Sequence, residues 1–322
     1  MNLNRKKTFF LNPRAPFHFD GTFHKPSHFP NNLSMNDWQP SNYWQSLRVG
    51  KNIYGLKIVD AGSAAHPKLK VTVYSTNRFT REDTEGLKRE IRWRFDLNAD
   101  LKSFNRMARQ DRIFYPVFKK WVGMRSSSQY TLYELLMISI VLQNATVRRS
   151  QQMLDVLLLN FGTEIAFDGK MFWSIWTPQK MTRVTEQMLR DLKIGYRAKF
   201  IKRLSQDFVE NKVNEMELQR MDQENAQKEL VKLYGVGPET ARILLFECLH
   251  HYGVFEHIAP WQQKIYSKLF YNRKMVSSRK IRNDIQNQYK EFSMLAVHYI
   301  WEDIFWRRKV EQIPWLENEI RI

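Results

Sequence analysis

Residues 233–241 read Leu-Tyr-Gly-Val-Gly-Pro-Glu-Thr-Ala, and a polar-to-apolar helical pattern continues after them through Leu245. Gly235 and Gly237 flank Val236, which allows a tight turn. Pro238 then falls in the first turn of a helix, where a missing N–H costs nothing. The pattern predicts a first helix over 223–233 and a second over 238–250, joined by this corner. The backbone N–H groups near Gly235, Val236, Gly237, Glu239 and Thr240 are left pointing outward at a helix start. Unpaired donors and the helix dipole together make an anion site, with room for a monovalent cation on the turn's carbonyls. Taken alone, the same residues also suit an ordinary helix–loop–helix with a glycine-rich corner.

Charge points to the kind of anion. Lys and Arg number 51 against 33 Asp and Glu, a formal charge of +18 with a pI near 9.9. Such a balance predicts binding to a polyanion with strong salt dependence, and a nucleic-acid phosphate is the expected partner group. Cys248 is the single cysteine, so disulfides within one chain and a four-cysteine iron–sulfur cluster are excluded. No apolar run reaches the ~18 residues of a membrane span. Met1–Lys7 is basic, but Phe9-Phe10-Leu11 is too short before Pro13 for a signal-peptide core. A cytoplasmic, nucleoid-associated chain without membrane partners or cofactor is expected.

Residues 1–40 are rich in Pro, Phe, His and Asn without a steady period, and read as an irregular arm. Its His18, His24 and His28 lack a matching set of Cys or acidic ligands, so no metal site is expected there. Stretches 44–49, 54–59 and 69–74 alternate or cluster β-branched and aromatic residues between Gly, Asn and Pro, which predicts an antiparallel sheet. A helical stripe follows at Leu87, Ile91 and Phe95, and everything from Leu101 onward reads helical. One helix is expected over 178–191, and the 211–222 and 273–282 stretches read as polar loops. The basic residues of the second loop, Arg273, Lys274, Arg279, Lys280 and Arg282, suit DNA contact or a solvated face.

Five further segments surround the Gly-Val-Gly turn in a fixed order: Tyr43–Gly50, Phe95–Leu101, Ile140–Val147, Leu192–Ile201 and Ala296–Trp301. With them the chain resembles the helix-hairpin-helix DNA glycosylases over nearly its whole length. The resemblance is greatest to the bacterial 3-methyladenine DNA glycosylase II (AlkA) type, with 8-oxoguanine glycosylases as relatives. It implies an α+β, mostly α-helical fold: an N-terminal antiparallel β-sheet domain (1–104) and a two-subdomain helical glycosylase region (105–322). Residues 125–230 would form one subdomain, and 105–124 with 231–322 the other, the hairpin occupying 223–250. The implied activity is that of a monomeric enzyme. It would flip a damaged or modified base out of double-stranded DNA and hydrolyse its N-glycosidic bond.

Several residues acquire roles from this resemblance. Asn144, with Gln143, matches the loop that wedges into DNA; an amide can fill space and hydrogen-bond the orphaned base, although Asn144 could equally cap the helix starting near Thr146. Trp261 and Phe292 match positions near the base pocket, where aromatic rings stack. Core packing is the simpler account of either ring in a chain with 21 Phe, 13 Tyr and 10 Trp.

The family's catalytic aspartate, which stabilises the oxocarbenium-like sugar, falls at Ala259. Three readings stand: an inactivating Asp-to-Ala change, a natural DNA-binding module without catalysis, or another acid such as Glu239, Glu247 or Glu256. Ile258-Ala-Pro-Trp-Gln262 favours the first, because an N-cap aspartate pairs well with a first-turn proline. Strand-cleaving members place a lysine where this chain has Glu239, so a monofunctional enzyme that leaves an abasic site is implied. Otherwise Glu239 is a first-turn carboxylate favoured by the helix dipole. Alkylated purines, uracil, hypoxanthine, oxidised guanine and bulky modified cytosines all remain as substrates, and a role against phage with modified DNA is open.

Overall fold

Alternation builds the N-terminal sheet: Leu69, Val71 and Val73 are buried, and Lys70 and Thr72 between them are not. In a computed structural model that describes residues 1–29 and 32–320, the strands are β1 (Arg5–Leu11), β2 (Asn36–Gln39), β3 (Asn42–Val49), β4 (Asn52–Asp60) and β5 (Leu69–Ser75). They pair antiparallel in the order β1-β5-β4-β3-β2. The register puts Leu56 opposite Val73 and Ile58 opposite Val71 and Tyr43. This face is covered by Phe19 and Phe23 of α1 (Phe19–Phe23), by Leu87 and Ile91 of α2 (Arg81–Arg94), and by Phe95. A capping box between Thr80 and Asp83 starts α2.

The 1–40 arm is not irregular, as its composition suggests, but supplies both edge strands of the sheet. The pattern hides this because β1 buries only Leu11 fully and β2 buries nothing fully. An edge strand lying against its neighbour without a covered face has no period to display.

The helical region contains α3 (Lys102–Gln110), α4 (Tyr115–Lys120), α5 (Leu132–Leu142), α6 (Val147–Phe161), α7 (Pro178–Thr182), α8 (Glu186–Asp191) and α9 (Arg197–Val209). It continues with α10 (Glu215–Leu218), α11 (Gln223–Val231), α12 (Pro238–Glu247), α13 (Pro260–Tyr271), α14 (Ser278–Tyr289), α15 (Ser293–Arg308) and α16 (Pro314–Glu317). A helix that is apolar on every side must be buried, and α5 is the axis of this region. Its Leu132, Leu136, Met137, Ile140 and Val141 join one core with residues of α6, α9, α12 and α15.

Three expectations for this region need correction. It is not wholly helical, because β6 (Thr163–Phe167) and β7 (Lys170–Ser174) form a hairpin that packs on the outer face of the sheet. Its turn, Asp168-Gly169, has positive φ at both residues (49° and 73°), the geometry that Asp-Gly favours. Gly55 makes room for the contact, since a Cβ there would stand 2.4 Å from the Phe167 ring. Residues 178–191 form two helices, because Lys202 Nζ takes the carbonyls of Thr182 and Val184 while Thr185 caps the new helix. The 211–222 and 273–282 stretches are partly helical: α10 buries Leu218, and α14 begins within the second. Of its basic residues, Lys280 pairs with Asp284 at 2.8 Å and Arg282 reaches the Glu256 carbonyl at 3.3 Å.

Candidate nucleic-acid interface and pocket

Between α11 and α12 the chain turns at Gly235, whose φ is +86°. A side chain there would be strained and would also meet the Phe200 ring at 2.7 Å. Gly237 is the N-cap of α12, in extended conformation, and a Cβ on it would meet nothing within 4 Å. With no side-chain cap at Gly237, the first-turn N–H groups of α12 lack that partner. Val236 and Thr240 are buried, so they anchor the turn and have only backbone to offer at the surface. Lys199 and Arg203 lie over the Tyr234 ring at 5.6 and 4.2 Å, which brings positive charge beside the turn.

A second loop, remote in sequence, is fastened to this turn. Gln143 ends α5, and its Nε2 donates to the Gly235 carbonyl at 2.8 Å. Arg197 donates to the carbonyls of Gln143 and Ile140, the latter at 3.2 Å. Gln143 is thus committed to holding the loop against the hairpin. Asn144 is the exposed tip, in left-handed backbone (φ 49°), with its Nδ2 3.3 Å from the Tyr196 hydroxyl. It does not cap α6, because Thr146 does, accepting the Arg149 N–H at 3.2 Å. Arg148, Arg149 and Lys193 are exposed around it.

Ala259 is the N-cap of α13 (φ −66°, ψ 149°). Its N–H donates to Gln262 Oε1 at 3.2 Å, one half of a capping box. The other half needs a side-chain oxygen at position 259, which alanine lacks. Gln262 also lines a small cleft, partly open to solvent, between α12, α13 and α15. Phe255, Tyr266 and Trp301 supply its aromatic walls, and Arg242 and His298 its polar ones. Trp261 is half-exposed at the edge, 5.6 Å from Trp301. Phe292 does not line the cleft; it packs on Phe104 (5.6 Å) and Tyr252 (6.3 Å), because a short 3-10 turn over Lys290–Phe292 directs it into the helical core.

Sequence reasoning passed over Tyr266 and Arg242, and met His298 and Trp301 only as parts of the Ala296–Trp301 motif. Tyr266 and Arg242 sit on helix faces that are otherwise apolar, so their spacing signals core. The only available signal was a buried arginine on such a face.

The acids nearest to Ala259 in sequence are engaged elsewhere. Glu239 holds Arg242 through two bonds, 3.0 and 2.5 Å long. Glu256 is exposed and accepts from Gln227 at 3.2 Å. Glu247 lies 3.9 Å from His28, both partly buried, in one group with the buried Lys25 and Glu302. Burial, with Glu302 beside it, pushes its carboxyl up to about 7. In the same group Lys25 Nζ donates to the carbonyls of Gly21 (2.7 Å) and Arg125 (2.8 Å), and reaches His298 Nε2 at 3.0 Å. Burial lowers this ammonium to about 8, against the opposing pull of Glu302 and Glu247. His18 and His24 are held by caps and rings: His18 Nδ1 accepts the Gly21 N–H, and His24 stacks on Trp38. Among the described residues no group of His, Cys, Asp and Glu could hold a metal ion.

A five-stranded antiparallel sheet thus joins a helical region that carries a Gly-Val-Gly helix hairpin and an aromatic cleft. No family model matches the chain. A DNA-3-methyladenine glycosylase of Bacillus subtilis is 25% identical over 215 residues, 66% of this chain and 70% of the relative. Among solved structures, a 3-methyladenine DNA-glycosylase from Archaeoglobus fulgidus superposes with a TM-score of 0.74 at 15% identity, over 95% of this chain and all of the other. The Clostridium acetobutylicum 8-oxoguanine glycosylase/lyase bound to double-stranded DNA gives 0.67 at 18%, over 96% and 99%. These homologues and structural neighbours are DNA glycosylases of the helix-hairpin-helix type; the chain shares their fold, which is consistent with an AlkA-like type.

Proposed function

We propose that this chain is a DNA glycosylase scaffold that hydrolyses the glycosidic bond of a damaged or modified base, with Ala259 standing where the catalytic aspartate belongs. The observation that carries this reading is an N-cap without its oxygen, next to a cleft walled by aromatic rings. In this reading the hairpin N–H groups hold a phosphate and Asn144 fills the gap in the stack. The extruded base enters the cleft and lies against the wall formed by Tyr266 and Trp301. A carboxylate at position 259 would face the sugar as the base departs and stabilise its developing positive charge. Glu239, paired with Arg242, is not a nucleophile toward the sugar, which supports a monofunctional reaction.

The test is Ala259→Asp assayed against single-lesion duplexes, with the unchanged chain alongside. The aspartate form is expected to release free base and leave an abasic site, at least ~100-fold faster than the alanine form. Borohydride should trap no protein–DNA adduct; a trapped adduct would instead mean lyase chemistry. Ala259 itself favours a second reading, a module that recognises modified DNA without catalysis. Tight binding to a lesion duplex, with no product from Ala259→Asp on any lesion, would select it.

A further inference from the structure

We infer that the cleft receives an uncharged base through hydrogen-bond acceptors on its edge and turns away cationic N-alkylated purines, with Arg242 deciding between them. The inference rests on the base-excision reading above and names the substrate class for that site. Stacking walls do not choose, since aromatic rings accept neutral and cationic bases alike. The polar wall does.

Arg242 is 8% exposed. Its Nε and Nη2 are spent on Glu239, but Nη1 meets only the Met294 sulfur, at 3.2 Å. A thioether is a weak acceptor, so buried N–H groups are left there for a stronger one. Both Arg242 and Met294 line the cleft, which aims the open donors at its occupant. The neighbouring polar groups have the same sense. Gln262 uses Oε1 on the Ala259 N–H, leaving its amide N–H₂ as the group it can offer. Lys25 Nζ, a group with no acceptor when protonated, stands 3.0 Å from His298 Nε2 behind the cleft wall.

The charges agree. Arg242 lines the cleft, and Lys25 stands behind His298. Glu239 is turned outward, with 43% of its side chain exposed. Glu302 and Glu247, which act on Lys25 and in the case of Glu247 also on Arg242, do not line the cleft. A carbonyl or ring nitrogen would satisfy Arg242 Nη1, whereas a cationic base would meet like charge at short range.

The experiment uses the full chain with Ala259 in place, so that bound DNA is not consumed. Affinities are measured for an undamaged duplex, one with hypoxanthine and one with N7-methylguanine stabilised by a 2′-fluoro sugar. A neighbouring 2-aminopurine reports extrusion. Hypoxanthine should bind about tenfold tighter than the undamaged duplex, the worth of one charged hydrogen bond, and N7-methylguanine should gain nothing. Arg242→Met should bring the hypoxanthine ratio to about one, while Arg242→Gln, which keeps amide donors and guards against a misfolded Met variant, should retain part of it. A preference for N7-methylguanine, or a hypoxanthine ratio unmoved in both variants, overturns the inference. If 2-aminopurine brightens with every lesion but no preference depends on Arg242, base excision survives and this inference falls. If no lesion is extruded, both fall.

Discussion

Gly235 and Gly237 carry different loads although one residue separates them. At Gly235 the left-handed backbone and the Phe200 ring both exclude a Cβ, so Gly235→Ala should cost about 2 kcal/mol of stability. At Gly237 the backbone is ordinary for any residue and the space beside it is open. Gly237→Ala should cost only about 0.5 kcal/mol, because alanine is the poorer N-cap, yet it should weaken DNA binding by keeping a phosphate off the N–H groups. Denaturant unfolding of both variants and their affinities for one duplex check the contrast; equal stability losses would defeat it. Residues whose role is fixed by their own backbone, such as these glycines and the N-cap at Ala259, were legible in the sequence. The roles of Arg242 and Trp301 come from helices that meet only in the folded chain, and spacing along one helix cannot show them.

Elements show the same division. Strand β5 alternates buried and less buried residues, and the sequence displays that period, whereas β3 and β4 bury three residues in a row where the β6–β7 hairpin covers the second face. The β6–β7 hairpin has only five residues on each side, and the acid of its turn, Asp168, ties it to the sheet. Asp168 accepts from Trp44 Nε1 at 2.7 Å and the Tyr74 hydroxyl at 2.8 Å, and pairs with Lys57 at 2.8 Å. Nothing in the local pattern announces partners so far away, and the Asp-Gly signal was passed over in a region that otherwise reads helical. Burial pushes this carboxyl up, but the bonds from Lys57, Trp44 and Tyr74 outweigh it and leave it below the usual range. Its stabilising contribution is therefore complete above the unfolded value near 4 and is lost as pH falls through the folded one. Asp168→Asn keeps the turn, since asparagine tolerates positive φ, but removes the charge. It should cost about 2 kcal/mol at neutral pH and little in acid. Unfolding at a series of pH values tests this; a loss of equal size at every pH would mean that the charge contributes nothing.

At the scale of the whole molecule, two kinds of free energy act on DNA, and salt separates them. The formal charge of +18 was readable from composition, but not its placement: Arg148, Arg149, Lys193, Lys199 and Arg203 are exposed around the hairpin and the Asn144 loop. Exposed charges facing phosphates release counterions on binding, so a grip on about six phosphates loses roughly a thousandfold in affinity between about 50 and 200 mM salt. The cleft groups are buried, and their hydrogen bonds to a base would be screened far less. Undamaged and lesion-bearing duplexes should therefore weaken in parallel as salt rises, giving equal slopes of log affinity against log salt. Their ratio should stay constant within about twofold over that range. Titrations at several salt concentrations measure both slopes. If the lesion duplex shows the steeper slope and the ratio shrinks toward one, recognition runs through extra phosphate contacts on a deformed backbone. If the slopes match, the chain grips every duplex with its surface and reads the base in the cleft beside Ala259.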